Sequence, residues 1–157
     1  MWTVARDVAI VHDYLTQRGG AERVVSAMVR AFPGSPVYTS VHDPDSTFAA
    51  LSDADVRPSR INAIGALRRH HRVLFPVLPS VFGRMHIDAP VTLVSSSGWA
   101  HGVRPAGRKV VYCHAPARWL YQTDRYLRNR GVGSRVAVGV AGAALRRWDT
   151  RAAHSAH

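Results

Sequence analysis

The sequence predicts an α/β fold in a single domain, with a mainly parallel sheet flanked by helices. Three observations predict it. Short apolar runs rich in β-branched residues recur along the chain, beginning with Asp7 to Tyr14 (DVAIVHDY). Between them the continuous runs give way to an apolar period of about 3.6, so that strands alternate with helices. The 157 residues, 46% of them hydrophobic, suffice for one core and argue against disorder. Strand–helix alternation with right-handed crossovers gives a Rossmann-like arrangement.

Asp7 to Tyr14 is a continuous run of the kind found in a strand covered on both faces. From Ala21 the apolar residues fall at Ala21, Val24, Val25, Met28, Val29 and Phe32, one stripe of a helix that Pro33-Gly34 ends. Val37 to Val41 reads as a second strand, closed by the turn-rich His42-Asp43-Pro44-Asp45. Asn62 to Val73 reads as a helix. Val91 to Ser95 and Lys109 to Cys113 read as further strands, the second of them buried, with the small polar loop Ser96-Ser97-Gly98 after the first. A last helix is expected from about Ser134 to Arg151, weakened by Gly139 and Gly142. No repeat or long linker interrupts this order.

The net charge of +11 is high, and all but one of the 21 Lys and Arg residues are arginine, the exception being Lys109. Glu22 is the single glutamate among ten acidic residues. Such skew partly follows base composition. The arginines are scattered along the chain rather than interleaved with aromatics on one face, so no nucleic-acid partner is expected. A single cysteine, Cys113, excludes an internal disulfide and suits a reducing, cytoplasmic location. Val8 to Val11 is too short for a signal-peptide core. Val73 to Phe82 and Val136 to Leu145 are apolar but far shorter than the roughly 20 residues that a spanning helix needs.

The stretch LTQRGGAER (Leu15 to Arg23) joins the first strand to the first helix, at the sheet end where α/β folds bind ligands. Gly19 and Gly20 allow a sharp turn and a close ligand approach, and the first helical turn offers free N–H groups. They equally suit a bare strand-to-helix turn, with Glu22 complementing the helix dipole. The spacing is neither the dinucleotide-binding glycine fingerprint nor a P-loop. Glu22 disfavours a naked phosphate on the helix; a sugar hydroxyl, or a phosphate shielded by Arg18 or Arg23, fits better.

His114 follows a strand, with Pro116 forcing an extended turn. It is suited to donating a hydrogen bond to a hydroxyl, or to capping the strand through a backbone carbonyl. Arg118 is suited to a phosphate or carboxylate, and Trp119 and Tyr121 to a sugar face or to the core.

Taken together, VAIVHDYLTQRGGAERVV, VTLVSSSGWAHGV and VVYCHAPARWLYQTDRYL resemble, in order, the N-terminal domain of family 4 glycosyltransferases, the retaining GT-B enzymes. The likeness runs from about Val8 to about Arg151. It implies transfer of a hexose from a nucleotide-diphosphate sugar to a glycan or lipid-linked acceptor, with retention at the anomeric carbon and without a metal. It assigns Gly19 and Gly20 to donor binding and His114 to the catalytic contact with the donor sugar. Glu22, Arg118 and Tyr121 match positions near donor or acceptor and are taken here as acceptor-binding.

One departure matters. The family's second domain carries paired glutamates for the nucleotide sugar and cations for the leaving diphosphate, and a chain with one glutamate cannot contain it. Residues 1–157 are therefore expected to be the acceptor-side half, incomplete at the C-terminal end and inactive alone: a fragment, a truncated reading frame, or half of a split enzyme whose partner is a separate C-terminal half. A non-catalytic binding module is the alternative. A nucleotide-binding oxidoreductase is disfavoured by the missing fingerprint.

Asp43-Pro44-Asp45 resembles an Asp-x-Asp metal motif, but Pro44 and the flanking turn residues make it a solvated loop, and the adjacent His70 and His71 lack ligand spacing, so no metal site is expected. Arg68-Arg69-His70-His71-Arg72, next to Val73 to Pro79, fits peripheral contact with an anionic membrane. It also fits favourable charge at a helix C-terminus ahead of a core segment.

Overall fold

A computed structural model describes residues 7–69, 77–122 and 132–156. The sheet has five strands: β1 (Val8–His12), β2 (Val37–Thr39), β3 (Val56–Pro58), β4 (Val91–Ser96) and β5 (Arg108–Cys113). Their order is β3-β2-β1-β4-β5 and every pairing is parallel. The chain therefore reverses its direction of travel across the sheet between β1 and β4. Beyond the carboxyl ends of those two strands lies the crevice where such sheets bind ligands.

All five residues of β1 are buried, as a central strand requires. The helix α1 (Gly20–Ala31) follows. Its apolar stripe is turned from the expected one. The fully buried positions are Glu22, Val25 and Ser26, while Ala21 and Val24 are half-buried. Two polar residues thus face the sheet, and Ser26 Oγ satisfies itself by donating to Glu22 O at 3.0 Å. After α1, Gly34 takes φ 81°, the left-handed conformation that costs glycine least, and returns the chain toward β2.

Successive side chains on a strand point to opposite faces, and the register sorts the later chemistry. His12 pairs with Ser95 and Ser95 with Tyr112, placing these three in one row; Ser96 pairs with Cys113 on the other face. Ile10, Leu15, Val25, Val37 and Leu51 form the core on the α1 side. Ala9, Val11, Phe82, Val94 and Trp99 form the core on the opposite side, joined by Leu145 and Trp148.

Among the described residues the remaining helices are α2 (Gly65–Arg69), α3 (Leu78–Gly83), α4 (Arg118–Tyr121) and α5 (Val132–His154). Trp148 of α5 packs its ring 5.7 Å from that of Trp99 and 5.3 Å from that of His101. Gly102 makes this approach possible, since a Cβ there would meet Trp148 Cζ2 at 2.3 Å. The C-terminal end of α5 is fastened by Lys109, the lone lysine. Its buried Nζ donates to Ser155 Oγ at 2.6 Å, His101 O at 2.8 Å, and Val103 O and Ala152 O at 3.3 Å each. A cation among terminal helix carbonyls is favoured by the helix dipole. Burial, with the nearby Arg104 charge, lowers the Lys109 ammonium below its ordinary value.

Several expectations are corrected. Of the helix predicted over Asn62–Val73, Gly65–Arg69 is helical as α2, whereas Asn62 and Ala63 belong to a 3₁₀ turn (Arg60–Ala63) and Ile64 is extended. His70, His71, Arg72 and Val73 to Pro76 lie outside the described residues. The expected strands Asp7–Tyr14 and Val37–Val41 shorten to five and three residues. β3 and α3 were not anticipated: β3 carries Arg57 and Pro58, which an edge strand tolerates, and α3 has Pro79 in its first turn, where a missing N–H costs nothing. β5 is an edge strand whose Val110 and Tyr112 are exposed, rather than a buried one. No described helix is long and apolar enough to cross a membrane.

Candidate functional site

The site is built where β1 and β4 end. His12, the last residue of β1, is buried, and its Nδ1 lies 3.0 Å from both Ser95 O and Ser95 Oγ. Ser95 Oγ is in turn 2.8 Å from His114 Nε2, one residue beyond β5. On its other side His12 Nε2 approaches Glu22 Oε1 at 3.9 Å. Glu22 Oε2 accepts the Gly19 N–H at 3.1 Å. A continuous polar line thus joins Gly19, Glu22, His12, Ser95 and His114 along the carboxyl rim of the sheet. The Tyr112 ring stands edge-on to the His114 ring, 4.9 Å away, and steadies its orientation.

The two glycines play different parts. Gly19 is the N-cap of α1 in extended conformation, and Glu22 reaches back to its N–H, one half of a capping box. A Cβ on Gly19 would lie 2.5 Å from Glu22 Oε2, so any larger residue there would displace the carboxylate that caps the helix. A Cβ on Gly20 would meet no atom within 4 Å, so that position faces open space.

Both anion-attracting termini at this rim are filled from within. Glu22 occupies the start of α1. Asp13, immediately after β1, accepts backbone N–H groups of Ser97, Ala100 and Trp99 at 2.5, 2.6 and 2.9 Å. That carboxylate pins the Ser97–Gly98 loop and the 3₁₀ turn Ala100–Gly102 to the end of β1. Burial raises the Glu22 carboxyl, but the hydrogen bonds from His12, the backbone and Gln17 outweigh it and hold it below the ordinary value. Burial, then the His12 charge, lowers the His114 imidazole despite Asp13 and Glu22, so His114 is neutral near pH 7.

A second cluster lies on the opposite face of the sheet. Ser96 Oγ is 3.0 Å from His101 Nδ1, His101 Nε2 is 2.9 Å from Asp149 Oδ1, and Tyr121 donates to Asp149 Oδ2 at 2.6 Å. Serine, histidine and aspartate in line suggest a nucleophile. Ser96, however, is buried with 1% exposure, and its oxygen already accepts the Gly98 N–H. The cluster is a strut tying α5 to the β4 end, not an acyl-transfer triad. Two adjoining cavities of about 360 and 460 Å³ flank it, sharing Ala115, Pro116, Asp149 and Ala153 as walls.

Of the residues singled out from sequence, Gly19, Gly20, Glu22 and His114 meet at one rim. Tyr121 does not join them: it pairs with Asp149 beside the larger cavity. Arg118 opens α4, and its side chain lies outside the described ones. Sequence reasoning missed His12, Asp13 and Ser95. The available signal was polar residues at the ends of two otherwise apolar strands. Among the described residues no group of three or more His, Cys, Asp or Glu is arranged to hold a metal ion.

The chain matches no protein-family profile, no curated protein and no solved structure. The fold is that of an α/β Rossmann-like domain with an all-parallel sheet.

Proposed function

We propose that this chain is the acceptor-side half of a retaining glycosyltransferase of the GT-B type. In this reading Gly20 admits the donor sugar, His114 contacts it, and the cavity beside Tyr121 receives part of a glycan or lipid-linked acceptor. The nucleotide-binding groups belong to a C-terminal half. The observation that supports it best is the polar line from the Gly19 N–H to His114 at the switch point of the sheet. It gathers a glycine turn open to space and a neutral imidazole where a ligand enters. With Glu22 and Asp13 filling the two nearby termini, the rim suits hydroxyl groups better than a bare phosphate. The departing diphosphate then falls to the partner half, whose cations provide the dominant catalytic stabilisation.

The test is a nuclear magnetic resonance titration of the purified chain with a panel of nucleotide-diphosphate hexoses. Shifts at Gly20 and His114, lost in Gly20→Ala and His114→Ala, are expected. Unmoved signals at both positions with every sugar would sink the reading. The exposed Val110 and Tyr112 on the β5 edge favour a second reading, a non-catalytic interaction module that docks through that strand. Self-association or partner capture that Tyr112→Lys abolishes, without any sugar response, would select it.

A further inference from the structure

We propose that Ser95 and His12 are positioning residues that fix the tautomer of His114, so that Nε2 is held as an acceptor and Nδ1–H is the donor offered to a ligand. The proposal rests on reading His114 as the ligand-facing residue, and it deepens that reading by naming the chemistry His114 recognises.

The hydrogen positions follow from one atom that has no choice. Ser95 O is a carbonyl and can only accept, and it lies 3.0 Å from His12 Nδ1. His12 therefore carries a hydrogen on Nδ1, and the same N–H points toward Ser95 Oγ at 3.0 Å. Ser95 is fully buried, so its own O–H needs an acceptor within the protein, and with His12 Nδ1 already a donor that acceptor is His114 Nε2 at 2.8 Å. A nitrogen that receives a hydrogen bond bears no hydrogen. Neutral His114 must then bear it on Nδ1.

Glu22 holds the far end of the line. Its carboxylate faces His12 Nε2 and restrains the ring from flipping, so that Nδ1 stays on the Ser95 side. The neutral state of His114 agrees with the lowering of its imidazole by burial and by His12.

Selectivity follows. His114 Nδ1–H matches a ligand oxygen that offers a lone pair, such as a sugar hydroxyl or ring oxygen. It does not match a group that must surrender a proton, because the basic nitrogen is already engaged by Ser95. His114 meets its ligand as a donor and not as a general base.

The experiment is long-range proton–nitrogen correlation of the His114 ring in the full chain, labelled with nitrogen-15. The wild type is expected to show one tautomer, with hydrogen on Nδ1. Ser95→Ala should lose it, giving a mixture with hydrogen on Nε2, and Ser95→Thr should restore it. Hydrogen on Nε2 in the wild type overturns the proposal, whether or not Ser95→Ala folds. An unchanged tautomer in folded Ser95→Ala overturns it too. No sugar is needed for this reading. If the tautomer is as expected while no nucleotide sugar moves His114, the transferase reading fails and the positioning role stands.

Discussion

His12 Nε2 lies 3.9 Å from Glu22 Oε1, with both side chains almost wholly removed from water. A pair so buried is costly to break from one side, because the survivor keeps its desolvation penalty without its partner. Glu22→Ala is expected to destabilise the domain by about 3–5 kcal/mol in urea unfolding, since it also strips the Gly19 N–H of its acceptor. Glu22→Gln keeps the shape and a hydrogen-bonding group, and its cost should fall to about 1–3 kcal/mol. Equal costs for the two variants would mean that charge, not volume, matters at this site.

The twin glycines separate structure from binding. Gly19→Ala forces a Cβ against Glu22 Oε2 and is expected to cost about 1–3 kcal/mol, as overpacking does. Gly20→Ala meets open space at the first residue of α1 and should leave stability within about 0.5 kcal/mol. Thermal unfolding checks the contrast. If Gly20→Ala nonetheless loses a sugar response, the loss reports a ligand approaching the backbone.

Acid should unfold the domain in stages. Burial raises the Glu22 and Asp149 carboxyls, but hydrogen bonds from His12 to the first and from His101 and Tyr121 to the second leave both below their ordinary 4.5 and 3.8. The unfolded chain therefore takes up protons first, and the stability present above those values is lost as pH falls through the folded ones. Burial lowers His114 and His42 below 6.5, so for them too the unfolded chain is protonated first and the loss starts below that pH. Urea midpoints should thus decline from pH 6.5 downward and again below pH 4.5. Glu22→Gln should flatten the lower stage. Midpoints that rise on acidification would contradict these assignments.

Lys109 binds the last turn of α5 to the sheet. Lys109→Ala leaves buried carbonyls of His101 and Val103 without their donor and is expected to cost about 1–3 kcal/mol. Hydrogen exchange should locate the effect, with faster exchange along α5 and unchanged protection in β1. Uniform loss of protection would show that α5 docking and the sheet form one cooperative unit.

Much of the fold was legible. The apolar run ending at His12 and the valine-rich Val91–Ser96 read as strands because parallel strands buried on both faces need unbroken β-branched sequence. The start of α1 was legible from Gly19, Gly20 and Glu22, and its end from Pro33-Gly34. β3 was illegible because Val56-Arg57-Pro58 has neither length nor pattern; its strand state is imposed by pairing with β2. The α1 stripe was misplaced by the assumption that buried means apolar. Glu22 and Ser26 go inside because His12, Gly19 and the helix backbone satisfy them.

By itself the sequence determined the layering of the chain, the rim where its loops gather, and the glycines and histidine that rim carries. Those follow from periodicity and turn chemistry, which are local. Only the tertiary structure decided that Ser95, 83 residues from His12, would come between it and His114. It also sent Tyr121 to Asp149 on the far face of the sheet, because α5 docks there through Leu145 and Trp148, a packing of distant segments that no local pattern encodes.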